Sequence, residues 1–207
     1  LTYRRDGEVT EQDATELWWA LVDAVDETTT AAPDAAAEVV AVGVCSQYSS
    51  IIPVAADGTP TAPMVMYLDQ RGTGPSWEIL GRHGEAFGLW VERHGIPPVG
   101  GGLSLGHILH LQHDRPEVHA ATAAYLEPCD FVTTRLTGRI SATQSTVFMS
   151  QLVDNRTLGV TEYDDDLIRL SGVDATRLPP PSTTIRFCSF CRTASSRLAA
   201  RNAPLLY

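Results

Sequence analysis

Lysine is missing from the sequence, since all 15 basic residues among its 207 are arginines. A phosphate-loop lysine and a Schiff-base lysine are therefore both excluded, although a GC-rich coding bias is the simpler reason for the absence. Long apolar runs are also missing, which predicts no membrane span, and the start lacks the apolar core of a signal peptide. We expect a cytoplasmic protein. The net charge of −10 argues against a nucleic-acid partner.

Acidic residues are absent after Asp174, so residues 1–174 carry a net charge of −15 and residues 175–207 carry +5. Such a break marks a composition boundary, which we place after the run Pro179–Pro181. The prediction is a domain over residues 1–181 and an anomalous tail over residues 182–207. Two hypotheses for the tail are translation in a shifted reading frame and a disordered extension.

Cysteine is scarce, with four residues, too few for a disulfide framework in a chain of this size. Cys45 and Cys129 are predicted to be small buried apolar residues. Cys188 and Cys191 form one CxxC pair in the tail, which is half a zinc site at most. No metal site is predicted.

The first third of the chain has the pattern of one helix followed by strands. Residues 11–27 have helical apolar spacing after a segment that resembles a capping box, Thr10–Asp13. The run Glu38–Gln47 is almost continuously apolar, which is typical of a strand covered on both faces. A second strand from Ile51 ends at an Asp57–Gly58 turn, and a third spans residues 63–68.

Helical patterns dominate the remainder, so the predicted fold class is α/β. One or two helices are expected over residues 77–93, and one from an N-cap at Ser104 to His113. Further helices are predicted to begin at Pro116, to span 128–136 with Gly138 as C-cap, and to span 163–170. The loop 97–102 contains three glycines but lacks the Lys-Ser/Thr of a Walker loop.

Two polar clusters follow predicted strands and are the candidate binding residues. Asp69-Gln70-Arg71 can bind hydroxyl pairs, and arginine can also pair with phosphate or carboxylate. The alternative is an ordinary polar turn with an internal Asp–Arg salt bridge. The second cluster is Gln47-Tyr48-Ser49-Ser50, or else a serine-rich turn. Antiparallel neighbours would bring the two clusters to opposite ends unless another element intervenes, so the spacing leaves open whether the clusters meet.

Three histidines recur along the predicted helix from Ser104, at positions 107, 110 and 113. Neighbouring pairs lie on one helix face. A metal ladder is conceivable, but no carboxylate or cysteine obviously completes it. The favoured interpretation is a solvated helix face.

Five segments, in order, resemble the first domain of the FGGY carbohydrate kinases, a group that includes xylulokinases, gluconokinases and glycerol kinases. They are "GEVTEQDATELWWALVDAV", "AVGVCSQYSSIIPVAADGTPTAPMVMYLDQRG", "PCDFVTTRLTG", "LVDNRT" and "LIRLSGVDATRLPP". The resemblance covers residues 3–181. It implies an actin-like ATPase, ribonuclease-H-like α/β fold, incomplete because the family's first hairpin and second domain have no counterpart here.

The resemblance also implies a function, ATP-dependent phosphorylation of a sugar or polyol hydroxyl with Mg²⁺ as cofactor. The family's catalytic base and most of its ATP site correspond to segments not found in this sequence, so no catalytic residue or metal ligand is assigned. We expect the isolated chain to be inactive, with a separate C-terminal half as a candidate partner. The alternative is a non-catalytic sugar-binding or partner-binding module.

The substrate-binding residues implied by the resemblance are Gln47, Tyr48, Ser49, Asp69 and Arg71. Asp69 and Arg71 match the family's Trp-x-Asp-x-Arg motif, with Tyr67 at the aromatic position. Gln47 matches the glutamine that precedes the residues touching the polyol. Tyr48-Ser49 replace the Met-His pair of xylulokinases and the Arg-Glu pair of glycerol kinases, so the sequence does not identify the sugar.

Overall fold

The computed structural model describes residues 1–182. The predictions for the tail, including its CxxC pair, lie outside the described residues. The strands are β1 (Tyr3–Asp6), β2 (Val9–Gln12), β3 (Ile52–Val54), β4 (Met64–Val65) and β5 (Ala124–Leu126). The helices are α1 (Ala14–Ala31), α2 (Pro33–Ala37), α3 (Thr73–Arg82), α4 (Ala86–Arg93), α5 (Ser104–Asp114), α6 (Pro116–Ala121), α7 (Pro128–Thr137) and α8 (Asp165–Ser171).

The strands form two small antiparallel sheets that are joined by one bridge. The first sheet has the order β1-β2-β4, and the second pairs β3 with β5. Ile51 pairs with Val65 in an antiparallel bridge, so the β3 segment runs beside β4 and connects the two sheets. Ile52 lies opposite Leu126 in the β3–β5 pair.

Alternating residues of these strands point to two separate apolar cores. Ile51, Val65 and Tyr125 pack with α3, α4, α5 and α8 in one cluster. Ile52 and Met64 pack with α1 and α7 in the other. Because side chains alternate along a strand, the connected strands carry helices on both faces. The predicted α/β layering is confirmed.

The predicted helices are present, and their ends show which capping prediction was wrong. Asp13, rather than Thr10, caps α1, because its carboxylate accepts from the N–H groups of Thr15 and Glu16. Thr10 belongs to β2. Ser104 is the first residue of α5 and does not cap it. Gly138 ends α7 in the left-handed conformation, as predicted.

The apolar run 38–47 is not a strand, which corrects the sequence prediction. Its side chains at Val39, Val40 and Val42 are 47%, 87% and 63% exposed. Within residues 1–182 no strand is paired with this run, and a strand needs a hydrogen-bonded neighbour to satisfy its backbone groups. Cys45 lies in the run and is exposed, and Cys129 is half-buried, so neither is the fully buried residue that was predicted.

The sequence interpretation of the α5 histidines as a solvated helix face is wrong. His107 is fully buried and His110 is 5% exposed, whereas His113 is exposed. Helix α5 is buried on most sides because it packs against α3 and α6. Polar residues spaced along this helix therefore do not indicate an exposed face. In the described part of the chain, no helix combines the length and apolarity needed to cross a membrane.

Close backbone contacts explain the glycines near α3 and α5. A Cβ on Gly72 would come within 2.6 Å of the Gly106 carbonyl carbon and within 2.9 Å of the Gly101 oxygen. A Cβ on Gly102 would overlap the carbonyl oxygen of Tyr67. Real side chains do not approach so closely, so these positions pack the loop 101–102 directly against α3, α5 and the turn after β4. We refer to Gly72, Gly101, Gly102 and Gly106 as the glycine seam.

Candidate functional site

The two polar clusters predicted from sequence meet at one end of the β3–β4 hairpin. The sequence spacing leaves open whether they meet, and the structure brings them together because the first cluster precedes β3 and the second follows β4. Residues before the first strand of a hairpin and after the second lie at the same end. The N–H of Tyr67 donates to the Ser50 hydroxyl at 3.1 Å, which joins the two segments directly.

A pocket of about 440 Å³ lies between these segments. It is lined by Gln47, Tyr48, Ser49, Tyr67, Gly102 and Met149. The two tyrosines are 61% and 45% exposed, so both rings are accessible to a ligand. We call Gln47, Tyr48, Ser49 and Tyr67 the pocket wall. Its lining is made of amide, hydroxyl, ring and thioether groups, which suit an uncharged ligand.

Ser49 holds an unusual backbone conformation in the pocket wall. Its φ of +62° is in the left-handed region, which costs a non-glycine residue of the order of 1 kcal/mol or more. The Ser49 hydroxyl donates to the carbonyl oxygen of Gly102 across the pocket, and this bond fixes the strained turn. Such conformations are concentrated at binding and catalytic sites.

Asp69 and Arg71 form a buried ionic cluster with Glu11, which we call the charged corner. Asp69 is fully buried and accepts from the N–H of Thr10 at 2.8 Å, the N–H of Arg71 at 3.0 Å, and the Arg71 guanidinium at 2.8 Å. Arg71 Nη2 also donates to Glu11 Oε1 at 2.6 Å. Neither Asp69 nor Arg71 lines the pocket. The internal salt bridge that the sequence left as an alternative is present.

The electrostatics of the charged corner favour its ionised form. Burial disfavours the Asp69 carboxylate, but hydrogen bonds from Arg71 and Thr10 outweigh it and hold the pKa of Asp69 below its ordinary value. Burial likewise opposes the Arg71 charge, while Asp69 and Glu11 together raise the pKa of Arg71. A buried, fully paired ion cluster of this kind fixes geometry rather than adding stability.

His107 on α5 is fully buried near the charged corner, and neither of its ring nitrogens has a hydrogen-bond partner within residues 1–182. Burial lowers the pKa of His107 to about 4, while the Asp69 carboxylate and the Ser49 backbone act in the opposite direction. The imidazole is therefore neutral at pH 7. It had been considered as part of a metal ladder, but within residues 1–182 no three metal-binding side chains are close enough to hold an ion.

Sequence reasoning missed Glu127, a buried acid next to the pocket. It caps α7 directly after β5 and is 4% exposed. Its carboxylate accepts from the Ser50 N–H at 3.2 Å and from the Ser104 hydroxyl. Burial and the neighbouring Asp130 raise the pKa of Glu127 to about 8. The available signal was the acid in "YLEP", between an apolar strand and a helix-opening proline.

The residues of the described segment do not fit Mg²⁺ or a triphosphate. Cation binding to phosphates needs carboxylate ligands with free oxygens, and the pocket lining contains none. The carboxylates nearest in sequence, those of the charged corner, are occupied by Arg71 and by Thr10. No catalytic step through a metal or nucleotide follows from these residues.

Comparisons with known proteins agree with the fold. The curated xylulose kinase of Streptomyces coelicolor is 27% identical over 162 residues, which are 78% of this chain and 32% of that protein. The crystal structure of xylulose kinase from Rhodospirillum rubrum superposes with a TM-score of 0.80 at 17% identity, covering 99% of this chain and 41% of that one. Plasmodium falciparum glycerol kinase, solved with ADP, gives 0.73 at 18% identity, covering 86% and 37%.

These structural likenesses establish an actin-like ATPase fold. The chain spans about a third of the length of the curated relatives that it matches. Residues 2–201 match the family described as "FGGY family of carbohydrate kinases, N-terminal domain". The match extends past residue 181, so the domain boundary placed there stays a prediction. The chain belongs to the FGGY family of carbohydrate kinases and carries its N-terminal domain.

Proposed function

We propose that this chain forms the sugar-binding side of an ATP-dependent carbohydrate kinase, which phosphorylates a hydroxyl of a sugar or polyol. The observation that carries the proposal is the pocket between Gln47–Ser49 and Tyr67. Family membership supports the reaction class. The names of the curated relatives, both xylulose kinases, favour a pentulose among the candidates.

The chemistry of the pocket favours a neutral substrate. Its lining, as far as the described residues form it, contains no charged side chain. The amide of Gln47 and the hydroxyls of Ser49 and the tyrosines can bond to sugar hydroxyls, while exposed rings can cover the apolar face of a sugar. A sugar acid would have no cation to pair with, since Arg71 is already bonded to Asp69 and Glu11.

The five residues assigned by resemblance divide into two roles in this proposal. Gln47, Tyr48 and Ser49 contact the sugar directly, and Tyr67 joins them. Asp69 and Arg71 act through the turn that carries Tyr67, because their polar atoms bond to one another, to Thr10 and to Glu11. This division makes Asp69 and Arg71 positioning residues.

The test is calorimetric titration of the 207-residue chain with xylulose, ribulose, xylitol, glycerol and gluconate. We expect saturable binding of a neutral sugar or polyol, weaker binding by Gln47→Ala, and none of gluconate. The control is Gln112→Ala, because Gln112 bonds to residues 172 and 174 and not to the pocket. Failure of the whole panel to bind would overturn the sugar-site assignment.

A phosphorylation assay with ATP and Mg²⁺ separates the kinase from its alternative. Sugar-dependent ADP release by this chain, or by this chain with a separately supplied C-terminal half, supports the kinase. Sugar binding with no turnover in either case favours the second candidate, a non-catalytic sugar-binding module. The observation in favour of that candidate is that the pocket lining offers groups for binding sugar hydroxyls, while the carboxylates of the charged corner are taken up by Arg71 and Thr10.

A further inference from the structure

Glu127 lies at the meeting point of the segments that form the pocket. β5 pairs with β3 so that Leu126 faces Ile52, and the next step of this register places Glu127 beside Ile51 and Ser50. The acid follows the last residue of β5 and precedes the first of α7. Its position is therefore fixed by both a strand and a helix.

The carboxylate bonds to both sides of the pocket. One oxygen accepts from the Ser50 N–H at 3.2 Å, and Ser50 directly follows Ser49 of the pocket wall. The other accepts from the Ser104 hydroxyl at the start of α5, two residues after Gly102. The Ser50 hydroxyl in turn accepts from the N–H of Tyr67 at 3.1 Å. The Glu127 side chain thus connects two of the segments that form the pocket, and the Ser50 hydroxyl extends the connection to a third at Tyr67.

This connection is separate from the charged corner. Asp69, Arg71 and Glu11 bond to each other and to Thr10, whereas the groups that face Glu127 are Ser50 and Ser104, with Asp130 and Cys129 as its titratable neighbours on α7. Glu127 also lines a second cavity of about 210 Å³, whose lining shares Gln47 and Tyr48 with the pocket. Glu127 therefore lies next to the pocket wall without lining the pocket itself.

We propose that Glu127 is the positioning residue of the sugar pocket, holding the Ser49–Ser50 turn and the Gly102–Ser104 loop at a fixed separation. The inference rests on the proposed function for its consequence in binding. The hydrogen bonds of Glu127 to Ser50 and Ser104 do not depend on a bound sugar. A carboxyl group suits the task because its two oxygens can form hydrogen bonds to two different segments, also when one oxygen carries a proton.

The experiment compares Glu127→Ala with Glu127→Gln in the full chain. Glutamine keeps one acceptor for the Ser50 N–H and gains a donor for the Ser104 oxygen, so it should restore the connection. Alanine removes both bonds. The matched control is Glu162→Ala, which removes an exposed glutamate outside the pocket.

Hydrogen exchange followed by mass spectrometry measures the connection without any ligand. In Glu127→Ala we expect at least tenfold faster exchange in residues 48–51 and 101–104, with α8 unchanged. Glu127→Gln and Glu162→Ala should match the wild type. Unchanged exchange in a folded Glu127→Ala protein would overturn the proposal. If Glu127→Ala does not fold, Ser104→Ala replaces it. This variant should speed up exchange in residues 101–104 alone, and unchanged exchange there would also overturn the proposal.

Sugar titration of the same proteins then separates this proposal from the proposed function. When the wild type binds a sugar, Glu127→Ala should weaken the Kd by at least tenfold and Glu127→Gln by less than threefold. Equal affinity of wild type and Glu127→Ala would overturn the positioning role. If the wild type binds no sugar, the proposed function fails, and the exchange data alone decide whether Glu127 holds the two segments.

Discussion

The charged corner and the pocket wall share the turn after β4, which carries Tyr67, Asp69 and Arg71, yet they are built in opposite ways. In the corner, Asp69 is fully buried and its carboxylate is bonded to the Arg71 guanidinium and to two backbone N–H groups. In the wall, the rings of Tyr48 and Tyr67 are largely exposed, and Gln47 makes only a weak contact, 3.8 Å from its Nε2 to the Met64 sulfur. One region is internally satisfied, and the other has unused bonding capacity.

The residues that are easiest to recognise in the sequence are therefore not the residues that line the pocket. Asp69 and Arg71 are the most recognisable part of the motif, and their polar groups bond to each other, to Glu11 and to the backbone of Thr10. The residues with free donors and acceptors are the less distinctive ones beside it. A buried ion network fixes the position of the backbone around it. The exposed groups next to it are thereby held in place for binding a ligand.

The strongest test of the comparison is Arg71→Ala. Removing the guanidinium leaves Asp69 buried with an uncompensated charge, which costs about 3–5 kcal/mol of folding free energy. Urea denaturation at pH 7 measures the loss. The control is Arg82→Ala, whose exposed pair with Glu78 should contribute less than about 1 kcal/mol. Equal effects of the two variants would show that the charged corner is no more than a surface ion pair.

Acid should destabilise the fold at His107, which is fully buried near the charged corner. Its folded pKa of about 4 is below its unfolded value, so the folded state favours the neutral ring. Stability is fully present above about pH 6.5 and falls by about 3 kcal/mol as the pH drops to 4. His107→Gln should flatten this part of the stability–pH curve, whereas the exposed His113→Gln should not. A wild-type curve that is flat from pH 6.5 to 4 would contradict the assignment.

Tyr67→Ala tests the pocket wall without touching the corner. Because the ring is 45% exposed, we expect a stability loss below about 1 kcal/mol but an affinity for the sugar reduced about tenfold, which is about 1.4 kcal/mol. The matched control is Trp77→Ala, an aromatic side chain that is 55% exposed and does not line the pocket. A stability loss in Tyr67→Ala as large as that of Arg71→Ala would remove the distinction between the regions.

The smallest effect is expected in the run that leads into the pocket wall. Val42 is 63% exposed, so Val42→Asp should change the free energy of unfolding by no more than about 0.5 kcal/mol. Thermal or urea denaturation of the chain is sufficient to measure it. A loss above about 2 kcal/mol would mean that this segment is buried against another surface, as the sequence prediction of a covered strand had required.

Local signals predicted most of the helices because each carried its own start and stop. Asp164 and Gly172 bound α8, and Pro128 and Gly138 bound α7; such caps act within a few residues. The run 38–47 failed for the opposite reason. Its apolar pattern is that of a strand, but pairing depends on a neighbour elsewhere in the chain, and no local pattern encodes that neighbour.

The site was only half predictable on similar grounds. The resemblance assigns Gln47 and Ser49 to substrate binding, which stays a prediction, and the structure places both in the lining of the pocket. The β3–β4 hairpin that joins them to Tyr67 was predicted from the Asp57–Gly58 turn. Glu127 was missed because its partners, Ser50 and Ser104, are 77 and 23 residues away. A buried acid and a solvated one look identical in a sequence, and only the β3–β5 register distinguishes them here.

The glycine seam has a consequence for how such a pocket can diversify. Three backbone segments touch there with no room for a methyl group, so each step of side-chain growth at Gly72 or Gly102 would force whole segments apart. The exposed rings of Tyr48 and Tyr67 can change without moving the backbone, because they are 61% and 45% exposed. We therefore expect sequence variation around the pocket to be concentrated at its exposed rim, while the packing of the three backbone segments stays the same.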